Sequence, residues 1–316
     1  MSDIQNIGSI ITAWQLPHPP IVVPEVGRGR EVEIASTLQA MRDAADSISN
    51  SGVDTIIIIS PHAPSPGRNI CINGDGELKG DLGRFGARGA SVGFHGGSGI
   101  ARLIYEEAVQ AGVRISIAGE LERNAGAGAG AGARARLGAG LSYNKSSGEL
   151  DHGAVVPLYF VSRALNKIGA AMPQLVVISI AYMDNSALYK FGGCIARAVR
   201  KSDVRAALIT SGDLSHKLAE DGPYGFDPAG PVFDAYILDC IAKRDVCSLL
   251  GTSEIMLENA AQCGFYGLLI VYGALDELGA GQSGGAGADT DAGAGAPCIL
   301  SYEGTFGVGY AIAKLL

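Results

Sequence analysis

The sequence predicts a three-layer α/β fold in which a largely parallel or mixed central sheet is covered by helices on both faces. Three observations carry this expectation. Short β-rich runs alternate with helix-length segments along most of the chain, the pattern of βαβ units, which lay their strands parallel and put helices on both sides. Apolar residues make up 47% of the 316 residues, enough for a sizeable buried core. Prolines, glycines and histidines collect just after the apolar runs, where open α/β sheets form their ligand sites.

Taken in order, residues 9–14 are the first predicted strand, a run that ends at Leu16-Pro-His18-Pro-Pro. A helix is predicted at 31–49 and a strand at 55–60, whose Thr55-Ile-Ile-Ile-Ile-Ser60 reads as buried on both faces. Further helices are predicted at 99–110, 155–167, 186–200 and 232–242, and further strands at 114–118, 175–180 and 206–210. Residues 253–278 read as a helical region that Cys263-Gly264 can break, and 299–312 as a closing strand pair. Two segments differ in composition: 124–140, nearly all Ala, Gly and Arg, and 279–296, nearly all Gly and Ala with Asp. Such stretches bury little apolar surface and lose much entropy on ordering, which predicts mobile surface insertions. Neither divides the motifs into halves, so residues 1–316 are expected to form one domain.

The charge balance excludes some partners. With 24 Lys and Arg against 32 Asp and Glu, the net charge is −8 and no basic stripe is left for nucleic acid. The first residues lack a basic segment followed by an apolar one, and no run approaches the about 18 apolar residues of a membrane span. A soluble, cytoplasmic protein without a membrane partner is expected. Six cysteines are scattered without a CxxC pair, which fits reduced thiols better than a disulfide framework or a zinc knuckle. Glycines around residues 86–89 and 96–99 do not form GxGxxG after a strand, so nucleotide binding is discounted.

Four of the five histidines sit in turn-rich motifs at element ends: Leu16-Pro-His18-Pro-Pro, Ser60-Pro-His62-Ala-Pro, Asp151-His152-Gly and Ser211-Gly-Asp-Leu-Ser-His216. Prolines beside His18 and His62 hold the backbone extended and fix the direction of each imidazole, which lowers the entropy cost of ligation. Taken singly, each has a plainer explanation. A strand-end histidine can simply bond a nearby carbonyl, Asp151 can be only a helix cap, and Asp213 can belong to an ordinary turn. Their joint placement favours a site. His95, in Phe94-His-Gly-Gly, follows no strong strand and is taken as a loop histidine.

These motifs, in this order from Leu16 to about Leu275, resemble the class III extradiol ring-cleavage dioxygenases of the LigB type, and most closely the branch that includes the Memo-like proteins. The resemblance implies a LigB-like fold and a catecholic substrate that chelates Fe²⁺, with O₂ beside it; Zn²⁺ or copper are the alternative metals if a thiolate is among the ligands. It implies that His18 and His62 are metal ligands, that His216 handles protons during ring opening, and that His152 contacts substrate or bound oxygen, with Asp213 also taken as substrate-binding. It also implies a homo-oligomer. For the third ligand the residues leave two candidates. Glu258, in Met-Leu-Glu258-Asn-Ala-Ala-Gln-Cys263-Gly, keeps the ordinary two-histidine, one-carboxylate set and is put slightly ahead. Cys263 is where counting back from Gly273-Ala274 lands, and Memo-like proteins resemble this chain in having Cys-Gly there. Two functions follow: a non-haem Fe²⁺ extradiol dioxygenase, or a Memo-like metal-binding protein of the same fold that acts through redox chemistry or a protein partner without cleaving rings.

Overall fold

The computed structural model describes residues 7–63, 65, 69–118, 148–282 and 296–316. Among them the strands are β1 (Ser9–Leu16), β2 (Thr55–Ser60), β3 (Ile70–Asn73), β4 (Glu77–Leu82), β5 (Ala87–His95), β6 (Ile115–Ile117), β7 (Gln174–Ser179), β8 (Arg205–Ser211), β9 (Cys298–Glu303) and β10 (Tyr310–Lys314). The helices are α1 (Pro24–Gly27), α2 (Ala35–Asn50), α3 (Ser98–Gln110), α4 (His152–Ile168), α5 (Asn185–Arg200), α6 (Ala229–Lys243), α7 (Val246–Leu250), α8 (Glu254–Ala260) and α9 (Phe265–Gln282). Eight strands form one mixed sheet in the order β6-β3-β7-β2-β8-β1-β10-β9. Its centre, β7-β2-β8-β1, is parallel, while β3 joins β7 and β10 joins β1 antiparallel.

The two-residue period of a strand explains the three layers. On β2, Ile57 and Ile59 pack with one cluster, into which α3, α5, α6 and α9 send Ile104, Phe191, Phe233 and Leu269. Ile56 and Ile58 pack with the other, built with Met41 of α2 and Leu158 of α4. Both faces are therefore covered, which is why residues 56–59 of this strand are all isoleucine. Each such side chain removed from water contributes roughly 1.5–3 kcal/mol.

β4 and β5 form a separate two-stranded sheet outside the main one. Their alternating Leu78, Leu82, Ala90, Val92 and Phe94 join the α4 cluster, so this hairpin lies on α4. Its presence corrects the reading of His95, which is the last residue of β5 rather than a loop residue; its ring is exposed and its Nδ1 stands 2.5 Å from Glu77 Oε1. Of the two Gly/Ala segments, 124–140 lies outside the described residues, whereas 279–282 form the end of α9 and 283–295 are again outside. Among the described residues, which include all six cysteines, no disulfide is formed. No helix among the described residues is long and apolar enough to cross a membrane.

One buried carboxylate links the far sheet edge to the loop after β8. Asp234, on α6 and 1% exposed, accepts the Ser215 backbone N–H at 2.7 Å and the Tyr302 hydroxyl at 2.6 Å. Burial pushes its carboxyl up to about 6 despite those two bonds. The unfolded chain therefore releases this proton at lower pH than the folded one. The stability contribution is present below about pH 4 and is lost as pH rises through about 6, by on the order of 3 kcal/mol. In urea unfolding of metal-free protein, the stability difference between wild type and Asp234→Asn is expected to shift against wild type by about 2 kcal/mol between pH 4.5 and 7, the part of that loss that falls in this window. Parallel pH profiles would refute the assignment.

Candidate metal centre

Strand order brings three motifs together. β1 and β2 flank β8, so the residues after their carboxyl ends meet at one edge of the sheet. Leu16 is in register with Ser211. Just beyond them the Gly212 N–H donates to the Leu16 carbonyl at 2.9 Å, and Gln15 Nε2 donates to the Gly212 carbonyl at 2.6 Å. The first two motif histidines face each other across this junction, with His18 Nε2 and His62 Nε2 3.0 Å apart.

That separation suits a cation. Two ligand atoms about 2.1 Å from one metal and at right angles to each other lie about 3.0 Å apart. In metal-free protein a proton on His62 Nε2 can fill the same gap. His18 cannot supply that proton, because its tautomer is set from behind. Ser211 Oγ donates to the Gly153 carbonyl at 2.5 Å and so offers a lone pair to His18 Nδ1 at 2.9 Å. Nδ1 then carries the hydrogen and Nε2 the free lone pair, the arrangement an Nε2 ligand needs. Burial first, then the charges of His62 and His152, hold the His18 imidazole well below its ordinary pKa, so it is neutral at pH 7. The His18 backbone N–H is also fixed, donating to Asp213 Oδ1 at 2.9 Å.

The third donor within reach is a thiol. Cys263 Sγ lies 3.7 Å from His18 Nε2, and the Asp213 backbone N–H points at the sulfur from 3.2 Å. The backbone N–H groups of Cys263 and Gly264 both donate to the Asp213 carbonyl, at 3.2 and 2.9 Å. This tight approach requires glycine at position 212, since a methyl group there would sit 2.1 Å from Gly264 Cα. Burial raises the Cys263 thiol well above its ordinary pKa; a bound cation acts in the opposite sense and favours thiolate. Glu258 stands elsewhere, exposed on α8. Among the described residues, His18, His62 and Cys263 form one group whose donor atoms lie within 4.8 Å of one another, Asp213, His216 and Cys263 form another, and Glu258 is in neither.

The other two motif histidines, His152 and His216, lie beside this group. His152 stacks on His62 with ring centres 4.4 Å apart and meets His18 edge-on at 5.3 Å. It opens α4 behind the cap Asp151, whose Oδ1 accepts the Ser60 hydroxyl at 2.7 Å, tying the end of β2 to the start of α4. Burial first, then the His62 charge, pushes the His152 imidazole down to about 4, so it is neutral near pH 7. His216 is anchored by its backbone N–H to the Ala260 carbonyl at 3.0 Å. Its Nδ1 is buried with no hydrogen-bond partner among the described residues, and its Nε2 lies 4.0 Å from Asp213 Oδ2. Asp213 is 5% exposed and sits between His18 and His216, its Oδ2 3.9 Å from His18 Nε2 and 4.0 Å from His216 Nε2. Phe85, at the tip of the β4–β5 hairpin, packs on His152 at 5.4 Å, and Tyr224 on His216 at 5.6 Å. Sequence reasoning missed Ser211 as an orienting group and both aromatic rings. Ser211 carries a faint signal, a hydroxyl closing an apolar strand; Phe85 and Tyr224 reach the site only through tertiary contacts.

Comparison with known proteins bears on this geometry. Residues 12–292 match the family model for the catalytic LigB subunit of aromatic ring-opening dioxygenase. A curated protein of Clostridium acetobutylicum is 35% identical over 303 residues, covering 96% of this chain and 56% of that protein. The chain thus spans about half the length of that relative. The crystal structure of an uncharacterized protein from Escherichia coli superposes with a TM-score of 0.53 at 13% identity, covering 97% of this chain and all of the other, a likeness of fold alone.

Proposed function

Because the chain belongs to the LigB family of aromatic ring-opening dioxygenase catalytic subunits, we propose that it is an Fe²⁺-dependent oxygenase that opens a catecholic ring with O₂. The observation that supports this best is the pair of imidazole nitrogens 3.0 Å apart, with one more donor, Cys263 Sγ, beside them. These residues fit a divalent metal: His18 is neutral with its lone pair forward, and Cys263 supplies the anion. Fe²⁺ held there would give two substrate oxygens and O₂ a common seat and a path for electrons.

The chain's own groups do the rest. His216 has an unpartnered ring nitrogen and a carboxylate, Asp213, near the other; it accepts a substrate hydroxyl proton and returns it after ring opening. His152, neutral near pH 7, offers a hydrogen bond without bringing a second cation into the site. Phe85 and Tyr224 supply flat apolar walls for an aromatic ring.

Cys263 favours a second reading. A thiolate is softer than a carboxylate, binds Cu⁺ and Zn²⁺ as well as iron, and is itself oxidised by O₂. On this reading the chain is a Memo-like metal-binding protein acting through redox chemistry or a partner. The two separate in one assay. Protein loaded anaerobically with Fe²⁺, its metal content verified, is mixed with a panel of catechols and air. Ring opening is expected to give a yellow product with matching O₂ consumption. No turnover across the panel in Fe²⁺-replete protein would reject the oxygenase and favour the second reading.

A further inference from the structure

Pro157 lies inside α4, as the sixth residue of the helix that His152 opens. Interior proline is costly, roughly 3 kcal/mol, because it lacks the N–H that bonds residue i−4 and its ring crowds that carbonyl. Here residue i−4 is Gly153. In a regular helix the Gly153 carbonyl would be taken by the N–H of residue 157. Instead it accepts the Ser211 hydroxyl at 2.5 Å, the same hydroxyl that faces His18 Nδ1 at 2.9 Å. Gly153 is itself confined, since a Cβ there would meet Ser60 Oγ at 2.5 Å and Asp151 Oδ1 at 2.8 Å. The carbonyl therefore has a defined direction, toward the end of β8.

We propose that Pro157 is a positioning residue for the metal centre: by withholding an N–H from Gly153, it leaves that carbonyl to orient Ser211, which in turn fixes His18 with Nδ1–H behind and the Nε2 lone pair forward. The inference rests on the reading of His18 as a metal ligand. Without the proline, an N–H at position 157 competes for the carbonyl, and the Ser211 hydroxyl is free to turn and donate to Nδ1. That moves the imidazole hydrogen to Nε2, where it blocks ligation.

The test uses Pro157→Ala, Ser211→Ala and the double variant, with Co²⁺ as the probe titrated against a competing chelator. Pro157→Ala is expected to raise the unfolding temperature of the metal-free protein, because the helix regains a bond, while weakening Co²⁺ binding about tenfold, the lower end of the effect of losing an outer-shell partner. A merely structural role would move both in the same direction. In the Ser211→Ala background, Pro157→Ala should weaken Co²⁺ binding no further, since both act on one link. Unchanged Co²⁺ affinity in Pro157→Ala, or an equal loss with and without Ser211, overturns the proposal. Nitrogen-15 spectra of metal-free protein read the relay independently: His18 should carry Nδ1–H in wild type and gain Nε2–H in Pro157→Ala. Wild-type protein that binds no Co²⁺ overturns the metal reading, and an unaltered His18 tautomer in Pro157→Ala overturns the relay alone.

Discussion

Cys263→Ser is expected to weaken metal binding by at least about a hundredfold, whereas Glu258→Gln leaves it unchanged. Loss of an outer-shell partner alone costs 10–100-fold, so loss of one of three direct donors belongs at or beyond the top of that range. Serine keeps the size of the side chain but its hydroxyl does not ionise near neutral pH, so the site loses its anion. Glu258 is exposed on α8 and lies in neither donor group, so its replacement removes only a surface charge. Competition titrations with Zn²⁺ read both variants. The reverse pattern, with Glu258→Gln abolishing binding and Cys263→Ser sparing it, would restore the carboxylate set and discard the thiolate. The affinity of wild type should also fall as pH falls. Binding must displace a proton from a thiol that burial has pushed up, while His18 and His152, pushed down, have no proton to lose at pH 7.

His216→Gln is expected to lower kcat on a ring-opened catechol by about 10²–10⁴-fold, the usual worth of a general acid or base, with metal content unchanged. The residue is outside the His18, His62 and Cys263 group, and its backbone N–H bond to Ala260 survives the substitution. Glutamine also keeps a polar group in the pocket, so the packing against Tyr224 is little altered. Equal loss of metal and activity would instead make His216 a ligand, and unchanged kcat would remove it from proton handling.

How much of this was legible in the sequence follows from burial. β1, β2, β7 and β8 are buried on both faces and appear as near-continuous apolar runs, so their positions were readable to within two residues. The β4–β5 hairpin was not, because Gly80 interrupts its apolar face, Lys79, Asp81 and Gly93 fill the exposed one, and only one side packs on α4. The antiparallel strand β3 also escaped a reading built on parallel units, whereas the closing pair expected at 299–312 corresponds to β9 and β10. In the site, the prolines around His18 and His62 and the Ser-Gly-Asp-Leu-Ser-His216 run drew attention to residues that the sheet does bring together.

The third donor was the weak point. Glu258 and Cys263 are separated by the end of α8, where Ala261 takes a left-handed φ of 52° and the chain turns back against Gly212. Which residue reaches the histidines depends on that turn and on a glycine-to-glycine contact between distant segments. Neither leaves a local pattern. The same holds for Ser211, Gly153 and Pro157, whose significance appears only when β8 and α4 are seen side by side.

The central claim is that His18, His62 and Cys263 together hold one metal ion. A crystal structure of Zn²⁺-loaded protein, with the ion located by its anomalous scattering, tests it most directly. The expected result is a single peak about 2.0–2.3 Å from His18 Nε2, His62 Nε2 and Cys263 Sγ, with Glu258 unchanged on the surface. A peak bound by a carboxylate in place of the sulfur, or lying away from the two histidines, would contradict it.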